Sequence, residues 1–154
     1  MRVLITGISA SGKSTVAAAL AARGHRVVDL DAAEWSRYAD DGDWLWREDR
    51  VGTLLATDDA PVLILSGCAA NQVRFYPQID RIVLLTAPEA VIVERLATRT
   101  TNDFGKSDAE REHVLRTLRE IEPLLRRIAH EEVDSTAPLE RVVAEILRIA
   151  GVGS

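Results

Sequence analysis

The sequence predicts an α/β domain in which a parallel sheet lies between helices on both faces. Three observations carry that expectation. Short apolar runs rich in β-formers alternate with amphipathic runs along the chain. The run Val62–Leu65 is unbroken in its apolar character, as a strand buried on both faces requires. The first strand also passes directly into a glycine-containing loop that opens a helix.

Arg2–Thr6 (RVLIT), bounded by Gly7, reads as a strand. Residues 13–23 read as a helix with Val16, Ala17, Leu20 and Ala21 on one face and Gly24 as its stop. Val27–Leu30 is a second strand. Residues 32–60 are the least regular, and the turn-prone Asp40-Asp41-Gly42-Asp43 cluster is expected between two helices. Val62–Leu65 and Ile82–Leu85 are further strands, and Ala87-Pro88-Glu89 opens a helix with proline at its first position. After the polar stretch Thr98–Lys106, Ser107 and Glu110 have the spacing of a capping box. The helix they start carries Val114, Leu118, Ile121, Leu125 and Ile128 as one buried stripe, bent at Pro123. Glu131–Asp134 is a short last strand, and Leu139, Val142, Val143, Ile146 and Leu147 mark a closing helix.

Composition narrows the function. The 154 residues suit one domain spanning 1–154, large enough to build a core without disulfides or a structural metal. A single cysteine, Cys68, excludes a disulfide framework, and the three histidines His25, His113 and His130 show no zinc-ligand spacing. A formal charge of −5 argues against a nucleic-acid surface. No apolar run approaches the roughly 18 residues of a membrane span, and residues 1–15 lack a signal-peptide layout. The expectation is a soluble, cytoplasmic protein whose partners are small molecules, with neither nucleic acid nor membrane.

Gly7-Ile8-Ser9-Ala10-Ser11-Gly12-Lys13-Ser14, followed by Thr15, satisfies G-x-x-x-x-G-K-[ST] completely. A loop that wraps a polyphosphate must turn successive backbone N–H groups toward its oxygens. Glycines allow the dihedrals and the close approach. The helix beginning near Lys13 adds unpaired N–H groups and a positive dipole end. Lys13 then reaches the β- and γ-phosphates of ATP, and the Ser14 hydroxyl ligates Mg²⁺. The alternative, a glycine-rich turn that binds nothing, requires strand, loop and helix to coincide by chance. Of the 19 lysines and arginines only Lys13 and Lys106 are lysines, and one of the two occupies the phosphate position.

Three enzyme classes share this loop. A guanine-reading N-K-x-D segment is missing, since Gly105-Lys106-Ser107-Asp108 has glycine in the asparagine position. The third strand ends in Leu65-Ser66-Gly67-Cys68, without the acidic pair of oligomeric ATPases. A kinase remains. Its carboxylates are expected at the end of the second strand, Asp29-Leu30-Asp31, where alternation sends both aspartates to one side. Asp29 is assigned to hydrated Mg²⁺, and Asp31 to the acceptor hydroxyl and its proton, against the alternative that Asp31 caps the next helix.

Gly7–Thr15, Asp29-Leu30-Asp31, Trp46-Arg47, Ser66-Gly67-Cys68 and Glu94-Arg95-Leu96-x-x-Arg99 together resemble the shikimate and gluconate kinases and their adenylate-kinase-like relatives. The resemblance implies a three-layer P-loop NTPase fold with five parallel strands in the order 2-3-1-4-5, in a monomer or homodimer. It also implies an acceptor-binding region near 32–60 and a lid near 98–107, with Arg95 and Arg99 resembling lid arginines that reach the transferring phosphoryl group. Arg99 and Pro138 fall where such kinases meet the nucleotide, Pro138 with Ser135 and Thr136 on the adenine side. Shikimate kinases hold the substrate carboxylate with two arginines and carry three glycines after the third strand. Here Arg47 matches the first arginine, the second falls at Ile121 beside Arg119, and of the glycines only Gly67 remains.

The acceptor pocket therefore differs from the shikimate pattern. Trp35, Trp44 and Trp46 all lie in the acceptor region and either line a pocket for a ring-bearing acceptor or cover the core. Arg37, Arg47 and Arg50 share that stretch and suit a carboxylate or phosphate. Gly67, Cys68 and Asn71 are assigned to the acceptor as well, Cys68 as a small apolar residue and Asn71 with the alternative of a helix cap. The sequence thus points to ATP- and Mg²⁺-dependent transfer to a hydroxyl of a sugar-, nucleoside- or shikimate-like molecule. A nucleoside or nucleotide monophosphate kinase, and a nucleotide-binding regulatory module with slow hydrolysis, are the alternatives.

Overall fold

The computed structural model describes residues 1–98 and 107–152. Five parallel strands, β1 (Arg2–Thr6), β2 (Arg26–Asp29), β5 (Leu63–Ser66), β6 (Arg81–Thr86) and β7 (Glu131–Asp134), form one sheet in the order β2-β5-β1-β6-β7. Two short strands, β3 (Ser36–Tyr38) and β4 (Trp44–Trp46), form a separate antiparallel hairpin. With the hairpin set aside, the sheet has the expected order 2-3-1-4-5. The helices are α1 (Lys13–Ala22), α2 (Glu48–Thr57), α3 (Glu89–Thr98), α4 (Asp108–Glu120), α5 (Glu122–Ile128) and α6 (Leu139–Ile149), with a 3₁₀ segment at Gln72–Gln78. Among the described residues, no helix is long and apolar enough to cross a membrane.

The central strand explains the layering. Successive side chains of β1 point to opposite faces. Val3 and Ile5 pack with Val16 and Leu20 of α1 and with Val143 and Ile146 of α6. Leu4 faces the other way, toward Val51, Leu54 and Leu55 of α2 and Phe75 of the 3₁₀ segment. All three β1 residues are fully buried, and each such side chain contributes roughly 1.5–3 kcal/mol. A third cluster joins Ile8 to Ala87, Ile92, Leu96 and Val114, anchoring the loop after β1 on α3 and α4.

Register brings the polar strand ends together. Asp29 and Ile5 both pair with Ser66, and Thr86 pairs with Asp134. The loops that follow β1, β2, β5, β6 and β7 consequently emerge along one edge, the carboxyl edge where open α/β sheets bind ligands.

Several expectations need correction. The two helices expected within 32–60 are one hairpin and one helix. Ser36 pairs with Trp46 and Tyr38 with Trp44, and the Asp40–Asp43 cluster is the hairpin turn, with Gly42 at φ 89°. Tyr38 and Trp44 meet edge to face at 4.7 Å, a cross-strand contact that a helical reading of the same residues conceals. Pro88 precedes α3 and accepts from Val91 and Ile92 N–H, so it caps that helix instead of opening it. Pro123 does not bend one long helix. The chain breaks at Ile121 and restarts, with proline where its missing N–H costs nothing. The stripe is broken as well: Val114 and Leu125 are buried, whereas Ile121 is 39% exposed and Ile128 37%. In the closing helix Leu139 is likewise exposed, while Val142, Val143, Ile146 and Leu147 are buried.

The capping box is present: Glu110 N–H donates to Ser107 Oγ at 3.1 Å, and the Ser107 hydroxyl donates to the Glu110 carboxylate at 2.9 Å. His130 accepts the Ile82 N–H at Nδ1, while its own backbone N–H donates to the Ile82 carbonyl. The histidine therefore extends the β6–β7 ladder by one rung. The expected lid at 98–107, with Arg99 and Lys106, lies outside the described residues except for Thr98 and Ser107.

Candidate active site

The loop after β1 has the geometry that its sequence pattern requires. A Cβ at Gly7 would stand 2.6 Å from Ser11 Oγ and 2.8 Å from the Leu85 carbonyl oxygen, so only glycine fits. Gly12 has φ 105°, and Ala10 adopts a left-handed φ of 66° without being glycine. Gly12 caps α1 without a side-chain partner, which leaves the helix's first N–H groups to the concave side of the loop. Ser11 is buried, and its hydroxyl has no hydrogen-bond partner among the described residues. An orphaned donor, uncapped N–H groups and two glycine-only positions fit a polyphosphate. Ser9 and Ala10 are half-buried along the loop, while Ser14 and Thr15 are exposed in the first turn of α1.

Lys13 closes over this cradle. Its ammonium donates to the Gly7 carbonyl at 2.6 Å and to the Ile8 carbonyl at 3.0 Å. For magnesium, the Ser14 hydroxyl is a suitable oxygen ligand. Among the described residues no cluster of three His, Cys, Asp or Glu side chains could hold a metal. That donor set suits Mg²⁺, which is usually held by few protein oxygens together with phosphate oxygens and water.

Asp29 and Asp31 are not related by strand alternation. β2 ends at Asp29, whose Oδ1 accepts the Asp31 N–H at 3.0 Å in an Asx turn. That turn, not the strand, aims Asp31. Asp29 is exposed, while Asp31 points inward and collects donors. Trp44 Nε1 and Trp46 Nε1 donate to Asp31 Oδ1 at 3.2 and 3.3 Å. The Cys68 N–H lies 3.2 Å from Oδ1 and 3.1 Å from Oδ2. Burial pushes the Asp31 carboxyl above its ordinary value. The Lys13 charge, the Cys68 N–H and the two indoles oppose that rise.

Gly67 is required by this arrangement. A Cβ there would lie 2.9 Å from Asp31 Oδ1 and 3.1 Å from Trp46 Cζ2. Cys68 is half-buried, and burial pushes its thiol up against the opposing pull of Lys13. Gly67 and Cys68 thus adjoin Asp31, as the sequence suggests.

Several residues stand elsewhere than expected. Trp46 is 1% exposed and packs against Phe75 in the core, so it offers no face to an acceptor. Asn71 precedes the 3₁₀ segment, but its side chain makes no cap bond to it. Its Oδ1 accepts the Trp46 N–H and its Nδ2 donates to the Trp46 carbonyl, both at 2.9 Å, with Glu48 as a further acceptor at 3.1 Å. Gln72 is buried too, bonded to Ala69 N–H, Thr6 and Tyr76. Trp35 is half-buried and borders, with Glu34, Asp49, Arg50, Thr53, Leu54 and Thr57, an open groove outside α2. Arg37 is exposed on the hairpin, and Arg50 donates to the Glu34 carbonyl. Arg47 is half-buried, and its Nε is enclosed without a partner among the described residues.

Arg95 is engaged by the loops around the cradle. From the last turn of α3, its Nη1 donates to the Ala10 carbonyl and the Ser135 hydroxyl, each at 3.0 Å, and its Nη2 donates to the Ser135 carbonyl at 3.1 Å. The Ser135 hydroxyl in turn donates to the Thr86 carbonyl. Pro138 is exposed and caps α6 at the end of the loop that Arg95 ties to the phosphate cradle. The sequence reading missed the pairing of Trp44 with Asp31 and that of Ser135 with Arg95. For the first, the W-x-W spacing was the available signal, because residues two apart share a face only on a strand.

Residues 3–116 match the AAA domain family. A shikimate kinase of Salinibacter ruber is 30% identical, the alignment covering 97% of this chain and 84% of the relative. Shikimate kinase 2 of Yersinia enterocolitica is 31% identical over 96% of this chain and 94% of the relative. The crystal structure of shikimate kinase from Bacteroides thetaiotaomicron superposes with a TM-score of 0.71 at 18% identity, covering 99% of both chains.

Proposed function

This chain belongs to the AAA-domain family and, within it, to the P-loop small-molecule kinases that include the shikimate kinases, and from that premise we propose that it transfers the γ-phosphoryl group of Mg·ATP to a small-molecule hydroxyl. The observation that supports this reading is a half-buried carboxylate, Asp31, beside a phosphate cradle and under the charge of Lys13. The nucleotide supplies the phosphoryl group, and magnesium offsets charge across its phosphates. The loop N–H groups and the start of α1 hold the phosphates. Lys13 leaves the Gly7 and Ile8 carbonyls to follow the charge of the migrating group. Ser14, with help from Asp29, would hold hydrated Mg²⁺. Asp31 accepts the acceptor's O–H and draws off its proton as the new O–P bond forms, a role suited by a carboxyl raised above its usual range. Arg47, half-buried in the acceptor region, is the residue assigned to an acceptor anion.

Two features favour an acceptor other than shikimate. The position of the second arginine is Ile121, and the neighbouring Arg119 is paired with Glu89 at 2.7 Å. In place of three glycines the chain has Ser66-Gly67-Cys68, and Gly67 is filled in by Asp31 and Trp46.

The test is incubation with Mg·ATP and a panel of shikimate, gluconate, nucleosides and nucleoside monophosphates, following products by ³¹P NMR. Transfer to a hydroxyl, lost in Lys13→Ala and reduced about 100-fold or more in Asp31→Asn, is the expected result. Transfer to a phosphate group would replace this reading with a nucleotide kinase. ADP formation that no panel member accelerates would count against a hydroxyl acceptor of these classes.

A further inference from the structure

Asp31 is gripped by a part of the chain remote from its own turn. The hairpin sends two indole N–H groups to one carboxylate oxygen, Oδ1, and the Cys68 N–H straddles both oxygens. A carboxylate oxygen has about two lone-pair sites, and an indole can only donate. Oδ1 is therefore saturated by Trp44 and Trp46 before any acceptor arrives. Oδ2 carries only its share of the Cys68 N–H and keeps an open lone-pair direction.

The grip is itself braced. Asn71 fixes the Trp46 backbone at both N–H and carbonyl, and the Ala70 N–H donates to the Trp44 carbonyl at 3.0 Å. Both anchors and the Cys68 N–H come from the short segment 68–71, so donors and supports move as one unit. Gly67 leaves the room that Oδ1 and the Trp46 ring occupy. The sharing of one oxygen by two indoles is more than packing requires, because Trp46 is buried and Trp44 half-buried while both aim their single polar atom at the same point.

We propose that Trp44 and Trp46 are positioning residues that lock Asp31 through Oδ1 and thereby present Oδ2 alone to the acceptor hydroxyl. This rests on the reading of Asp31 as the residue that receives the acceptor. The indoles touch no reacting atom. They act by removing the rotational freedom of the carboxylate, so that the oxygen taking the proton is already aimed when the acceptor enters.

Two measurements on the full chain test the proposal. In ¹⁵N-labelled protein, the indole N–H signals of Trp44 and Trp46 both move upfield in Asp31→Ala, while that of Trp35 moves much less. If neither signal moves, the lock is overturned. In the second, Trp44 is replaced by 3-benzothienylalanine, which keeps the ring outline but puts sulfur where the N–H was. Hydrolysis of Mg·ATP is then followed, with water as the hydroxyl. The expected result is a kcat about 3- to 10-fold lower with KM for Mg·ATP within twofold. An unchanged kcat overturns the positioning role even if the indole signals move. The underlying reading fails separately: an Asp31→Asn enzyme with full transfer activity would remove Asp31 from the chemistry, whatever the indoles do.

Discussion

Arg95 holds Ser135 at two points, with Nη1 on the hydroxyl and Nη2 on the carbonyl oxygen. Its further bond to the Ala10 carbonyl makes one guanidinium the tie between the phosphate cradle and the loop after β7. Ala10 sits at a positive φ, a conformation that costs an alanine on the order of 1 kcal/mol and needs outside support. Replacing Arg95 with lysine keeps the charge and loses the planar fork. Calorimetry is expected to show Mg·ATP binding weakened about 10-fold, with kcat at saturating nucleotide within about threefold. A collapse of kcat at unchanged affinity would instead return Arg95 to the phosphoryl-transfer role expected from sequence.

Gly67 and Gly52 give opposite expectations for the same substitution. Gly67→Ala drives a methyl group against Asp31 and Trp46 and should cost about 1–3 kcal/mol. Gly52 lies inside α2 with no atom within 4 Å of an added Cβ. Gly52→Ala should therefore stabilise by roughly 0.5–1 kcal/mol through helix propensity and reduced chain entropy. Urea unfolding of both variants measures the difference.

Asn71→Ala removes both partners of the Trp46 backbone and leaves a buried N–H and carbonyl unsatisfied. A loss of about 1–3 kcal/mol is expected for such groups. The variant should also loosen Trp46, so its tryptophan emission should shift to longer wavelength while far-ultraviolet circular dichroism is retained. An unshifted emission would mean that the core alone holds Trp46.

Glu122 supplies a pH dependence. It is 6% exposed, bonded to Arg126 at 2.8 Å, and one carboxylate oxygen has no partner among the described residues. Burial raises its carboxyl above the ordinary 4.5, against the pull of Arg126. The folded protein therefore holds this proton to a higher pH than the unfolded chain does. Its contribution to stability falls as pH rises from about 4.5 through the folded value, because the native state binds more protons in that window. Glu122→Gln abolishes this component, so the stability of the wild type relative to the variant should decline across that range. Denaturation midpoints taken from pH 4 to 7 give the comparison.

The sheet and the phosphate loop were legible in the sequence because each rests on a local rule. Apolar runs fix buried strands, and glycine, lysine and serine at set spacings fix the cradle. Strand β1 agrees residue for residue with its expected bounds, and the others shift by a residue at most at either end. The hairpin was not legible. Beyond the W-x-W spacing, three-residue strands are too short to show alternation, and their pairing depends on contacts such as Tyr38 with Trp44 that only the folded chain makes. The same limit hid the roles of Asn71 and Arg95. Both side chains carry ligand-like chemistry, yet in the fold they bind backbone, and sequence alone cannot tell a free amide or guanidinium from an engaged one. Asp31 follows β2 closely, as expected, but an Asx turn and not strand alternation aims it.

The β3–β4 hairpin shares no ladder with the main sheet. The cradle for phosphate is built from β1, α1 and the loop that Arg95 fastens, and none of these depends on the hairpin's side chains. On the proposed reading, the hairpin that meets the acceptor is thus a module hung on the part that carries the phosphate cradle. Grafting a different hairpin in place of residues 36–46, with Asp31 kept and residues 67–71 changed to match, should alter which alcohol is chosen and leave nucleotide affinity untouched.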